Sequence, residues 1–165
     1  TRLPLPRSSE ALGIAVALMK SERALMAMSL KLEESESRLR AVLIDPYAGS
    51  REGLRASLEA EGCLVEVAAD AQQAMTLVRT GGLDMGVIDL DLSPARGIVR
   101  SAWELARLFR VFNPSAPLVL FVAELGRDLV TEAASLHPPL VLEKPINPAR
   151  LRAVVRQLRT TTAAG

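Results

Sequence analysis

From residue 39 onward the chain alternates between two kinds of hydrophobic pattern. Short apolar runs occur at 39–44, 63–68, 85–89, 118–122 and 141–143, each bounded by turn or charged residues. Runs of that length and outline suit strands buried on both faces of a parallel sheet. Between them lie segments whose apolar residues recur three or four apart, as on an amphipathic helix. The first spans 50–61, with Leu54 and Leu58 one turn apart and Gly62 as its stop. The second opens at Asp70, with Gln73 three residues on in the manner of a capping box, and closes at Gly81-Gly82. Helices are predicted next over 98–112 and 125–136, and a last one runs to about Arg159, capped by Asn147 and opened by Pro148. Five strands alternating with five helices predict an α/β fold: a doubly wound, flavodoxin-like parallel sheet of order 2-1-3-4-5 with right-handed crossovers.

A different pattern precedes this domain. Residues 1–8 read as a disordered lead with Pro4 and Pro6, and 161–165 as a frayed tail. Residues 9–37 are rich in Ala, Leu, Met, Glu and Lys, with Ser8 or Ser9 available as a cap. They predict one long helix, roughly 40 Å at 1.5 Å per residue. Leu18, Leu25 and Leu32 recur every seventh residue, interleaved with Ile14, Ser21, Met28 and Ser35. That is an a/d seam with serine at two positions. The domain over 39–160 looks complete without it, so the seam over 10–37 is expected to form a homodimer or to dock on a signalling partner, the alternative being an amphipathic helix folded back on its own domain.

Composition narrows the classes. A chain of 165 residues with 49% apolar content can build a real core. With 20 basic and 19 acidic residues the net charge is +1, so no nucleic-acid partner is expected. The single cysteine, Cys63, lies in an apolar run and reads as an inert buried thiol, and a single histidine, His137, argues against zinc. No apolar stretch is long enough to span a bilayer and no leader is recognisable, so a cytoplasmic setting and no membrane partner are expected. The chain begins at Thr1, as a fragment or a processed product would.

The candidate chemistry sits at strand ends. Asp45 ends the first apolar run, Asp89 ends the third with Asp91 two residues on, and Lys144 follows the fifth. In a 2-1-3-4-5 sheet the first and third strands are neighbours at the switch point, so the two acids converge on one crevice that Lys144 can reach. Lys144 is the sole lysine after residue 40, where twelve other basic residues are arginine. A compact point charge has been placed where carboxylates gather.

These residues in this order resemble the receiver domain of two-component response regulators, across 39–159. Asp45, Asp89 and Lys144-Pro145 carry the resemblance, supported by Gly97 and by Pro94, which lies one residue later than the family's usual proline. The resemblance implies that Asp89 accepts a phosphoryl group from a histidine kinase and that Lys144 contacts the phosphoryl oxygens. It also implies Mg2+ in the pocket, held by Asp45, Asp89 and the backbone carbonyl of Asp91. It implies a signalling domain, no enzyme beyond accepting phosphate. In such chemistry a carboxylate attacks phosphorus in line, and cations neutralise the equatorial oxygens.

Three positions depart from the family pattern and make the chain an atypical member. Pro46 stands where a second acid is usual, so Mg2+ binding is expected to be weak. Val122-Ala123 offers no hydroxyl where the family has Ser or Thr, and Val141 occupies the aromatic switch position. An alternative resemblance comes from another class: Asp89-Leu90-Asp91-Leu92-Ser93 is similar to the D-x-D-x-[TS] motif of haloacid-dehalogenase-type phosphatases. There Asp89 would be the nucleophile and Asp91 the general acid.

Overall fold

The computed structural model describes residues 8–36, 38–136 and 140–163. His137, most of the lead and the last two residues lie outside the described residues. The chain divides into two units, 1–38 and 39–165. Among the described residues the first holds one helix, α1 (Ser8–Glu36), on which every side chain from Leu12 to Glu34 is exposed.

The second unit follows the predicted alternation. It runs β1 (Arg40–Ile44), α2 (Ala48–Ala60), β2 (Leu64–Ala68), α3 (Ala71–Arg79), β3 (Met85–Asp89), α4 (Ala102–Phe112), β4 (Leu118–Val122), α5 (Arg127–Ala134), β5 (Leu140–Glu143) and α6 (Pro148–Ala163). All pairings are parallel, in the order β2-β1-β3-β4-β5. Ile44 pairs with Ile88, which brings the carboxyl ends of β1 and β3 side by side.

Strand side chains alternate between two apolar layers, as a sheet covered on both faces requires. Val42, Ile44, Ile88, Leu118 and Leu120 pack with Ala74 and Val78 of α3 and Leu105 and Phe109 of α4. Ala41, Leu43, Val87, Val119 and Phe121 pack with Leu54 and Leu58 of α2 and Leu151 and Val155 of α6. Gly86 lets α4 sit close on β3, since a Cβ there would come within 2.6 Å of the Phe109 ring. Cys63 is buried, and burial pushes its thiol up.

Element ends show where local chemistry decided. Asp70 accepts from the Gln73 amide at 2.8 Å as predicted, while the Gln73 side chain reaches the Ala69 amide at 3.0 Å, one residue before the cap. The helix expected from residue 98 starts instead at Ala102. Its cap is Ser101, whose Oγ accepts from the Glu104 amide at 3.2 Å. Residues 95–99 fold back on themselves through an Ala95–Val99 bridge, with Gly97 in the left-handed region at φ 76°. α5 is shorter than expected, beginning after Gly126, and α6 runs four residues past Arg159, to Ala163, so helix covers most of what was read as tail. Buried Asn113 closes α4 and ties it to its neighbours: its Oδ1 accepts from the Leu83 amide at 3.0 Å, and its Nδ2 donates to the Val78 carbonyl at 3.2 Å.

Candidate functional site at the carboxyl edge of the sheet

Asp89 ends β3 with its residue fully buried. Its Oδ1 accepts from the Asp91 amide at 2.9 Å, an Asx turn that points the following loop across the edge of the sheet. Its Oδ2 makes a close ion pair with Lys144 Nζ at 2.7 Å, away from the line of a directed hydrogen bond. Lys144 donates a proper hydrogen bond to Asp91 Oδ2 at 2.6 Å, so one ammonium bridges both carboxylates. The Tyr47 ring lies over the same ammonium, 5.0 Å from centroid to Nζ. Lys144 is delivered by a chain that leaves β5 through a cis bond to Pro145, anchored by its own amide on the Val122 carbonyl at 2.9 Å.

The electrostatics follow. Burial pushes the Asp89 carboxyl above its ordinary range, and Lys144 and the Asp91 amide only partly counter this. Burial alone would lower the Lys144 ammonium, but its bonds to Asp89 and Asp91 outweigh that and leave it raised.

Asp45 is at the same edge but differently engaged. Its carboxylate is fully buried and both oxygens are occupied: Oδ1 accepts from the Tyr47 amide at 2.7 Å, and Oδ2 accepts from the Ser50 hydroxyl. The Arg51 guanidinium donates to the Asp45 carbonyl at 2.7 Å. Asp45 therefore organises the turn into α2. A cavity of about 490 Å³ opens beside it, lined by Asp89, Asp91, Lys144, Ser50, Tyr47 and apolar residues including Leu54, Phe121 and Ile146. Asp45 is not among its lining residues. Tyr47 and Ser50 were not singled out from the sequence. Asp-Pro is a turn-initiating pair, and that was the available signal.

Comparison with known proteins settles the family. The family model for the response regulator receiver domain matches residues 41–156. The chain belongs to the response regulator receiver family. It is 29% identical over 136 residues to the response regulator MprA of Mycolicibacterium vanbaalenii, covering 77% of this chain and 54% of that protein. It is 28% identical over 130 residues to the sensor histidine kinase AruS of Pseudomonas aeruginosa, covering 79% of this chain and 13% of that one. The receiver thus spans about half, or much less, of these relatives. Among solved structures, a CheY-like receiver domain from Methanospirillum hungatei superposes with a TM-score of 0.67 at 18% identity, covering 78% of this chain and all of that one. A second, from Methylobacillus flagellatus, gives 0.61 at 24% identity, covering 74% and 99%. Both likenesses concern the fold. The phosphatase alternative gains no support, and its motif here ends the third strand of the sheet.

Receivers as a family carry Mg2+ beside the acceptor, which makes the donor set worth testing. Mg2+ demands an octahedron of oxygens at short range and usually takes one or two carboxylates. Here both Asp45 oxygens are engaged, Pro46 supplies none, and Asp91 and Asp89 Oδ2 already hold an ammonium. Among the described residues no group of three or more His, Cys, Asp or Glu is placed to hold a metal. As arranged, these side chains do not fit the ion.

Proposed function

We propose that this receiver is an atypical one, relaying signals by protein contact, with Asp89 as its phospho-acceptor and only weak use of Mg2+. The observation that carries the reading is Lys144 bridging Asp89 and Asp91 at 2.7 and 2.6 Å, while Asp45 is committed to its own turn. A fixed ammonium sits where a divalent ion would otherwise neutralise charge. In phosphotransfer, an Asp89 oxygen forms the new bond to phosphorus and the donor leaves with the old bonding pair. Lys144 must then move from the carboxylate to the phosphoryl oxygens, and no hydroxyl follows β4 to help, since Val122 precedes Ala123. Losing a ligand and a donor removes several kcal/mol of charge stabilisation, and each 1.4 kcal/mol is about tenfold in rate. The donor class is a histidine kinase or another signalling protein, and the setting cytoplasmic. No described helix is long and apolar enough to cross a membrane.

The output in this proposal is the N-terminal helix, pairing two copies in parallel through the Ile14, Leu18, Leu25, Met28 and Leu32 seam, all of them exposed. Treatment with acetyl phosphate should give slow, hydroxylamine-labile labelling that changes little with Mg2+ and vanishes in Asp89→Ala. Fast labelling that collapses on chelation would refute the metal argument, and labelling that survives Asp89→Ala would refute the acceptor. Sedimentation of the whole chain against one starting near Ser37 tests the pairing: equal mass states for both would remove it.

A further inference from the structure

Lys144 gives its directed hydrogen bond to the outer of the two acids it bridges. Among the described residues Nζ donates in line to Asp91 Oδ2 alone, at 2.6 Å. Asp89 Oδ2, although only 2.7 Å away, is buried and takes no in-line hydrogen bond. That preference runs against burial. The Asp89 side chain is 1% exposed against 39% for Asp91, and a buried carboxylate has more to gain from a cation.

The backbone explains how Asp91 prevails. Its amide donates to Asp89 Oδ1 at 2.9 Å, and the next amide, that of Leu92, donates to the Asp89 carbonyl at 3.2 Å. Leu92 is itself buried. The Asp91 carboxylate therefore projects from a held main chain. Lys144 is anchored as well, by its amide on the Val122 carbonyl at 2.9 Å. Exposed ion pairs are ordinarily weak because two long side chains must be stilled to make them. Here both main chains are fixed beforehand, and one of the side chains is short.

We propose that the Asp91 side chain is a positioning residue that latches Lys144 away from the phosphoryl position at Asp89. The proposal rests on the acceptor reading for the reaction that the latch restrains. In that reaction an Asp89 oxygen bonds to phosphorus and the donor departs with the old bonding pair, while Lys144 keeps its protons throughout. Its ammonium serves the equatorial oxygens, where charge is spread in the transition state. To reach them Nζ leaves Asp91 Oδ2. A contact made in the ground state and lost in the transition state raises the barrier. Asp91 thus slows acceptance of phosphate for as long as it holds the lysine.

The test labels the full chain with two donors of different charge, acetyl phosphate and phosphoramidate, and follows the lysines by NMR. The chain has three of them, Lys20, Lys31 and Lys144, so the Lys144 signal is assigned by its loss in Lys144→Met. Asp91→Asn should speed labelling about threefold to fivefold, the size of a partly exposed pair, and by the same factor with both donors. Asp91→Glu keeps the charge and should label at nearly the parent rate. Asp91→Asn should also lower the pH at which the Lys144 ammonium gives up its proton, since the bond to Asp91 helps to raise it. Unchanged or slower labelling in Asp91→Asn overturns the proposal, because Asp91 then does not restrain the lysine. A gain confined to acetyl phosphate, the more highly charged donor, overturns it too and leaves only repulsion of the donor. An unmoved Lys144 titration shows that the two side chains are not paired in solution and removes the latch directly. A parent that takes no label, or that is labelled equally well as Asp89→Ala, removes the acceptor reading, and the lysine titration still decides whether Asp91 holds Lys144.

Discussion

Replacing Lys144 by methionine isolates the electrostatic centre of the site. The ammonium lies 2.7 Å from Asp89 Oδ2, with side-chain exposures of 23% and 1%. A pair of unit charges at close contact is worth about 4 kcal/mol at an effective dielectric near 20. Desolvating the lysine takes back part of this, while stranding a buried carboxylate adds to the loss, and breaking a buried pair typically costs about 3–5 kcal/mol. The Asp91 contact is 39% exposed on the acid side and adds less than about 1 kcal/mol. The expected loss is therefore about 3 kcal/mol at neutral pH. Its pH dependence has a definite sign. Burial already raises the Asp89 carboxyl, and removing the cation that opposes burial raises it further. A carboxyl raised in the folded state contributes stability below its unfolded pKa and loses that contribution as pH rises through its folded value. The variant should thus be most impaired at neutral and alkaline pH and regain ground as acid neutralises Asp89. The raised Lys144 works in the parent at the other end of the scale: its contribution is present below the unfolded lysine value and lost as pH rises through the folded one. Urea unfolding of parent and variant from about pH 5 to pH 8.5 measures the difference, at 1.36 kcal/mol per pKa unit. Adding Asp89→Asn should restore most of the loss. A difference that stays flat with pH, or is not relieved by Asp89→Asn, would mean that Lys144 matters for packing and the electrostatic account is wrong.

Three further outcomes follow from the same structure. Gly86→Ala would push a methyl to within 2.6 Å of the Phe109 ring and should cost about 1–3 kcal/mol, read as a lowered urea midpoint with an unchanged slope. Asn113→Ala strands the Leu83 amide, while the Val78 carbonyl keeps the Gly81 amide at 3.4 Å, and should cost about 1–3 kcal/mol in the same assay, with earlier hydrogen exchange at Leu83. Ser50→Ala removes one of the two donors to the Asp45 carboxylate, so the domain should lose about 1 kcal/mol in the same assay, while Mg2+ should still add no thermal stability because Lys144 keeps Asp89 and Asp91. An unfolding midpoint that rises with Mg2+ in this variant would refute that account.

The fold was legible because buried parallel strands declare themselves as short apolar runs, and the order 2-1-3-4-5 then leaves little freedom for connections of these lengths. The boundaries that moved were set by polar side chains that hydrophobic periodicity does not weigh. Ile98 and Val99 fit a helical stripe with Leu105, yet Val99 is held by a bridge to Ala95, and Ser101 caps the helix that follows. The signal was present as Ser101-Ala102-Trp103-Glu104, the S-x-x-E of a capping box, with the Glu104 side chain accepting from the Arg100 amide. At the far end, Thr160 to Thr162 are weak helix formers and read as fraying, but α6 continues through them.

The site divides along the same line. Asp89 and Lys144 were placed correctly at one edge because strand ends are topological facts, fixed once the sheet order is known. What Asp45 does there is conformational, and topology is silent on it. An acid at a strand end reads equally as a ligand or as a turn former, and the residue after it decides. Proline fixes φ near −65° and has no amide to offer, so the next available donor is the amide of Tyr47, which Asp45 takes at 2.7 Å. Pro46 therefore does two things with one ring: it removes the acid usual at that position, and it bends the chain so that the remaining acid closes on its own loop. Ser50, on the first turn of α2, occupies the other oxygen. Restoring an acid at position 46 would accordingly not be enough to rebuild a metal site, because the Asp45 carboxylate would still have to be released from the turn that holds it.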